Sequence, residues 1–223
     1  MNLLAIDTVT ECCSVAVASN GEIQQQEKVG AKVHSRVVLS MVDAVLKDSS
    51  LTLGDLDAIV VDAGPGSFTG LRIGLGVAQG LAYGAGIPVI PVCSLDCLGT
   101  RVEDGLAIAA LDARMNQVYW ARYQRHPGKL VRLGEPGVIN PEQLDCESDG
   151  RIYAIGNGWQ QYLERYPESI RNRIEILDDV QFPRASDGLE LVLNLDGGDT
   201  VSPLDLEAVY VRNQVVQGIS TTP

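Results

Sequence analysis

Apolar and polar positions alternate in short runs punctuated by glycine, proline and small polar residues. Leu3-Leu4-Ala5-Ile6 is an apolar run ending at Asp7, and residues 13–19 form a second strand-like run. Asn20-Gly21 then predicts a hairpin turn, because both residues tolerate positive φ. The returning stretch 22–29 carries Gln24-Gln25-Gln26 and belongs near a sheet edge. Residues 34–47 follow the helical period, with Arg36, Ser40, Asp43 and Lys47 on one narrow stripe. Val37, Val38, Leu39, Met41, Val42, Ala44, Val45 and Leu46 occupy the rest, so the helix is apolar over more than half its girth. An ordinary surface helix has one apolar face. This one packs on two sides inside the monomer or meets a partner. A β-branched strand at 56–61 ends at Asp62, and a glycine-rich loop spans 64–70, with Thr69 a candidate helix cap. A helix follows at 71–84 and a strand at 87–92.

The element order fits a mixed sheet with helix crossovers. A boundary is expected at 100–105, dividing an N-terminal unit, 1–100, from a smaller one, 101–223. The second unit restarts with a strand at 106–111, paired with 117–123. Further strands are expected at 130–139 and 152–155, helices at 159–166 and 187–195, a short apolar segment at 208–211 and a loose tail at 218–223.

The helix at 71–84 is unusual. Gly76, Gly80 and Gly84 recur every four residues, and Gly74, Ala78 and Ala82 form a second small-residue ridge. Each interior glycine costs about 1 kcal/mol of helix propensity. No charge occurs between Ile73 and Ala85. Close packing against the sheet on one side and another helix on the other would justify both features. The expected partner surface therefore combines Val38, Met41, Val42 and Val45 with Ile73, Gly76, Val77, Gly80, Leu81 and Gly84.

Composition narrows the function. The chain has 223 residues, with 17 Lys+Arg against 29 Asp+Glu, a net charge of −12. Such a chain is a poor binder of nucleic acid on its own, since neutralising phosphates takes surplus cations. No run reaches the roughly 20 apolar residues of a membrane span. The opening lacks the basic region of a signal peptide, and five cysteines make no disulfide framework, so a cytoplasmic location is expected.

Candidate chemistry gathers at the loops. Gly64-Pro65-Gly66-Ser67-Phe68-Thr69-Gly70 lacks the Gly-Lys-Ser/Thr of a Walker loop, leaving an anion cradle or a tight structural crossover. Asp7, with Thr8 and Thr10 in the loop after it, is placed either to contact nucleotide phosphates, as in sugar kinases, actins and related ATPases, or to cap a turn. Arg114, in Leu111-Asp112-Ala113-Arg114, is a candidate anion contact or the partner of a carboxylate. His34 reads as a capping or surface residue. Position 38 is Val, so no second ligand stands one helical turn on, and a zinc or iron site is not expected. Cys93 and Cys97 have neither redox nor metal-motif spacing and read as buried thiols. No Gly-x-Ser-x-Gly elbow occurs.

The run Gly64 to Gly74 resembles the signature of the bacterial TsaB proteins, also called YeaZ. The resemblance extends to Leu4-Ala5-Ile6-Asp7-Thr8, His34-Ser35, Leu111-Asp112-Ala113-Arg114 with Val118-Tyr119, and Val209-Tyr210-Val211-Arg212. It implies an actin-like, Hsp70-like ATPase (ASKHA) α/β fold with two ribonuclease-H-like subdomains. It also implies a role in installing threonylcarbamoyladenosine on tRNA, as a scaffold or activating subunit. The implied partners are a TsaD-like catalytic subunit and a TsaE-like ATPase, with tRNA reached only through the complex. TsaD binds metal through a histidine pair on its first helix. Only His34 stands near the matching helix here, so the resemblance points to the non-catalytic paralogue. No cofactor is firmly implied; ATP or ADP with Mg at weak affinity, or at the complex interface, remains open. Two alternatives also stand: a small-molecule kinase or ATPase of the same fold, and a homodimeric protein binding an unknown ligand.

Overall fold

The structure is a computed structural model that describes residues 1–30, 33–146, 148, 150–195, 197–209 and 211. The tail 218–223, with Tyr210 and Arg212 of the terminal motif, lies outside the described residues.

The chain opens with β1 (Leu3–Asp7), β2 (Cys12–Ser19) and β3 (Glu22–Val29), then α1 (His34–Asp48), β4 (Ala58–Asp62), α2 (Phe68–Ala85), β5 (Val89–Val92) and α3 (Ser94–Gly99). The five strands form one sheet in the order β3-β2-β1-β4-β5, with β1 antiparallel to β2 and parallel to β4. Asn20 and Gly21 both have positive φ, 53° and 80°, at the β2–β3 hairpin. The polar β3 lies at the sheet edge.

A second sheet is built from β6 (Gly105–Asp112), β7 (Val118–His126), β8 (Lys129–Arg132), β9 (Gly137–Ile139), β10 (Ile152–Ile155) and β11 (Ile174–Ile176). Its order is β11-β10-β6-β7-β8, with β9 also on β7. The helices α4 (Asn157–Tyr162), α5 (Glu168–Arg171) and α6 (Ala185–Asn194) complete the elements. Both sheets mix parallel and antiparallel pairs, giving a mixed α/β fold with two sheet-containing subdomains.

Period-two alternation sorts the first sheet's side chains. Leu4, Ile6, Cys13, Val15, Val17, Ile59 and Val61 pack with Val38, Met41, Val42 and Val45 of α1 and Ala78 and Ala82 of α2. Leu3, Ala5, Ala16, Ala18 and Val60 pack with Ala185, Leu189 and Leu191 of α6. Residues after 184 thus return to the first sheet. Ala185 N donates to Ser14 Oγ at 2.8 Å, Val201 bridges Val89, and Gln79 Nε2 donates to the Pro203 carbonyl at 2.7 Å. A single cut at residue 100 would separate α6 from the sheet it covers.

Other details differ from the sequence reading. The helix expected at 71–84 begins at Phe68, capped by Ser67 rather than Thr69; Gly70 N donates to Ser67 Oγ at 3.4 Å. The strand expected over 130–139 is two strands, β8 and β9. The helix expected over 159–166 ends at Tyr162, and a 3-10 turn carries Tyr166 back to stack on Trp159 at 4.3 Å.

Candidate functional site

Between the two sheets lies a cleft of about 890 Å³. Its walls come from the β1–β2 loop, the Gly64–Gly70 loop with the first turn of α2, the start of α1, and the β6–β7 turn.

The glycine-rich run exists to let the first loop sit directly on α2. A Cβ on Gly66 would lie 2.4 Å from the Val9 carbonyl oxygen, one on Gly70 1.9 Å from that of Thr8, and one on Gly74 2.5 Å from Thr8 Oγ1. Real Cβ atoms do not approach so closely, so each position must be glycine unless the loop moves. Hydrogen bonds fasten the contact: Thr8 Oγ1 donates to the Gly70 carbonyl at 2.7 Å, and Ser67 N to the Val9 carbonyl at 2.6 Å. The run is therefore a tight crossover, and its cradle is filled by the chain's own backbone.

This geometry separates the four candidate nucleotide contacts. Asp7 and Thr8 are buried, 2% and 1% exposed, and do not line the cleft. Thr8 has its hydroxyl on Gly70, and Asp7 Oδ1 accepts from Val9 N at 3.0 Å. Both are engaged inside the fold rather than presented to the cleft. Thr10 and Arg114 do line the cleft. Arg114 reaches across it to Glu11 Oε1 at 2.9 Å and back to Asp112 Oδ2 at 3.1 Å, which is the carboxylate-paired arrangement. It begins three consecutive residues of positive φ, Arg114, Met115 and Asn116, which place the turn at the cleft mouth.

His34 is neither a cap nor a surface residue. It is 7% exposed, and its Nε2 donates to the Thr10 carbonyl at 2.8 Å, tying α1 to the first loop. Its position at the first residue of an over-apolar helix was the available signal. Asn157 Oδ1 accepts from Asp112 N at 3.1 Å, fixing the cleft's far wall. Among the described residues, no group of three or more His, Cys, Asp or Glu side chains is arranged to hold a metal ion.

The comparisons with known proteins fall on this same frame. Residues 18–163 match the family model described as TsaD, tRNA N6-adenosine threonylcarbamoyltransferase. The chain is 34% identical over 229 residues to the Haemophilus influenzae tRNA threonylcarbamoyladenosine biosynthesis protein TsaB, spanning 96% of this chain and 95% of that one. It is 38% identical over 225 residues to the Escherichia coli K12 protein of the same name, spanning 96% of each. A Pseudomonas aeruginosa crystal structure, described as similar to peptidase YeaZ, superposes with a TM-score of 0.86 at 36% identity, covering 95% of this chain and 99% of that one. The chain belongs to the TsaB (YeaZ) family.

In this TsaB-family chain the two over-apolar helices divide their roles. Val38, Met41, Val42 and Val45 were expected on a partner surface; they are buried in the monomer's own core, because all four face the sheet. The large apolar side chain that α1 turns outward is Leu39, 54% exposed. On α2, Gly70, Gly74, Ala78 and Ala82 form the buried ridge. Gly76, Gly80 and Gly84 form the other ridge and are exposed, with nothing within 4 Å of an added Cβ at any of them. Ile73, Val77 and Leu81 are half-buried beside them, and Phe68 and Tyr83 are exposed at 57% and 68%. Of the residues expected on a partner surface, those on α2 are thus exposed or half-buried and those on α1 are buried in the core.

Cys12, Cys13 and Cys93 are held as thiols. Burial, with Asp7 nearby, pushes Cys12 up to about 12 and Cys13 up to about 11, and burial pushes Cys93 up to about 12.

Proposed function

We propose that this chain is the scaffold or activating subunit of the complex that forms N6-threonylcarbamoyladenosine on tRNA. In this reading it pairs with a TsaD-like catalytic subunit, is joined by a TsaE-like ATPase, and meets tRNA through the complex. The observation that carries it is the end-to-end likeness to proteins named for threonylcarbamoyladenosine biosynthesis, over 96% of the chain. The finer architecture, an actin-like pair of ribonuclease-H-like subdomains, draws support from the strand order β3-β2-β1-β4-β5 in the first sheet. The working compartment in this reading is the cytoplasm; no helix among the described residues is long and apolar enough to cross a membrane.

The α2 ridge supports the choice of docking surface. Exposed glycines in a helix interior are unfavourable for the monomer, and a helix packed closely against Gly76, Gly80 and Gly84 offsets that cost. The same ridge serves a second copy of the chain when the catalytic subunit is absent. A free-standing kinase is the weaker reading, because Asp7 and Thr8 lie under the cleft floor rather than in it.

Reconstitution tests the proposal. Purified chain, TsaD-like subunit, TsaE-like ATPase, threonylcarbamoyl-AMP and unmodified tRNA are combined, and each protein is omitted in turn. Modification is expected only with the full set, and Gly80→Glu is expected to abolish copurification of the catalytic subunit. Turnover by this chain alone, or full turnover without it, refutes the assignment.

A further inference from the structure

Asp7 and Asp62 end the adjacent parallel strands β1 and β4, one residue beyond the Ile6–Val61 pair. By the alternation of those strands both side chains lie on the α6 face of the sheet. They are 2% and 3% exposed. Every donor provided for them goes to one oxygen of each. Asp7 Oδ1 accepts from Val9 N at 3.0 Å; Asp62 Oδ1 accepts from Gly64 N at 2.8 Å and Ser94 Oγ at 2.6 Å. The two Oδ2 atoms are buried, and no N–H or O–H of another described residue reaches either one. The carboxyls lie within hydrogen-bonding reach of each other.

We propose that Asp7 and Asp62 hold a single proton between their Oδ2 atoms, and that this proton pins together the two loops that floor the cleft. Two bare carboxylates side by side in a dry site repel strongly, while one shared proton converts the repulsion into a short, charge-assisted hydrogen bond. A hard divalent cation needs about six or more oxygen ligands. Here only the two Oδ2 atoms remain, since both Oδ1 atoms are taken by donors. The pinned segments are the β1–β2 loop, through Val9, and the start of the glycine-rich loop with α3, through Gly64 and Ser94.

The surroundings favour the protonated pair. Asp187 of α6 and Asp96 of α3 add negative charge, and the thiols of Cys12, Cys13, Cys93 and Cys97 are all pushed up by burial. Arg101 is paired with Asp187 and Asp179, and Arg184 with Glu27. Burial and the Asp62 charge raise Asp7 well above the usual carboxylate range, and burial raises Asp62 to about 6. Asp187 is itself raised to about 6 by burial. In the unfolded chain both groups are ionised above about pH 5. The folded state therefore binds the extra proton, and stability falls as pH rises until the pair gives it up.

Two measurements on the intact chain test this. Carboxyl ¹³C titration of aspartate-labelled protein is expected to show one buried aspartate still protonated at neutral pH. In urea unfolding between about pH 6.5 and 7.5, below the range in which the unfolded chain's cysteines ionise, the wild-type folding constant is expected to fall by up to about tenfold per pH unit for as long as the native pair keeps the proton. Asp7→Asn, whose amide N–H replaces the proton toward Asp62, is expected to lose that slope. Both carboxyls ionised at neutral pH, or equal slopes in wild type and variant, overturn the proposal. So does Mg²⁺ or Ca²⁺ restoring wild-type but not Asp7→Asn stability at alkaline pH, which would make the pair a cation site. Should Asp7→Asn fail to fold, the wild-type titration decides alone.

Discussion

Replacing Gly76, Gly80 and Gly84 together by alanine separates what the monomer wants from what a partner wants. All three lie in α2 with open space where a Cβ would go. An alanine at an exposed helix-interior position is worth about 0.8–1.0 kcal/mol over glycine, and less in the last turn, where Gly84 sits. The triple variant is therefore expected to stabilise the isolated chain by about 2–3 kcal/mol, roughly 30- to 150-fold in the folding constant. The same three methyl groups stand off any helix that approaches the ridge, and dispersion contacts are lost steeply with such a gap. Association with the TsaD-like subunit, and self-association, are expected to weaken at least about tenfold, the effect of losing about 1.4 kcal/mol. Urea unfolding at low protein concentration gives the first quantity, and titration calorimetry with the partner, plus light scattering for the homodimer, gives the second. Gly74→Ala serves as the contrast, because its Cβ meets Thr8 Oγ1 at 2.5 Å and must destabilise. A triple variant that is more stable and still binds at wild-type affinity would place the interface elsewhere. One with no gain in stability would show that the ridge is already covered in the isolated chain.

Two further outcomes follow from the cleft floor. Gly70→Ala drives a Cβ to 1.9 Å from the Thr8 carbonyl, forcing the first loop off α2 and breaking the Thr8–Gly70 hydrogen bond; a loss of roughly 2–6 kcal/mol in urea unfolding is expected, from overpacking plus one buried hydrogen bond. Calorimetry of the isolated chain with Mg-ATP is expected to give at best weak binding that Arg114→Ala reduces and Asp7→Asn leaves unchanged, because Arg114 lines the cleft and Asp7 does not; a tight, Asp7-dependent site contradicts the buried placement.

The strands of the first sheet were legible because their signals are local. Asn20-Gly21 has positive φ at both turn positions, and the polar run 22–29 can only sit where one edge is wet. The glycine spacing of α2 was also legible, as was the alternative that Gly64–Gly70 is a crossover. Which ridge faces the sheet was not, because Gly74-Ala78-Ala82 and Gly76-Gly80-Gly84 are equivalent as patterns on an isolated helix. The direction of α2 off β4 decides it, and that direction is set by Thr8 and Val9 lying on Gly66, Gly70 and Gly74.

Tertiary structure also decided what the polar residues do. Asp7 at a strand end reads equally as a phosphate contact or a turn cap. It became the buried neighbour of Asp62 because β1 and β4 are adjacent and parallel, a pairing between residues 55 positions apart. His34 turned inward because the first loop carries the Thr10 carbonyl to it. Val38, Met41, Val42 and Val45 went to the core because α1 lies on one face of the sheet while α6, arriving about 150 residues later, covers the other. Local propensity and hydrophobic period act within a few turns of chain and so are written in the sequence. Face, burial and partner depend on which distant segments fill the remaining space, and only the folded chain settles them.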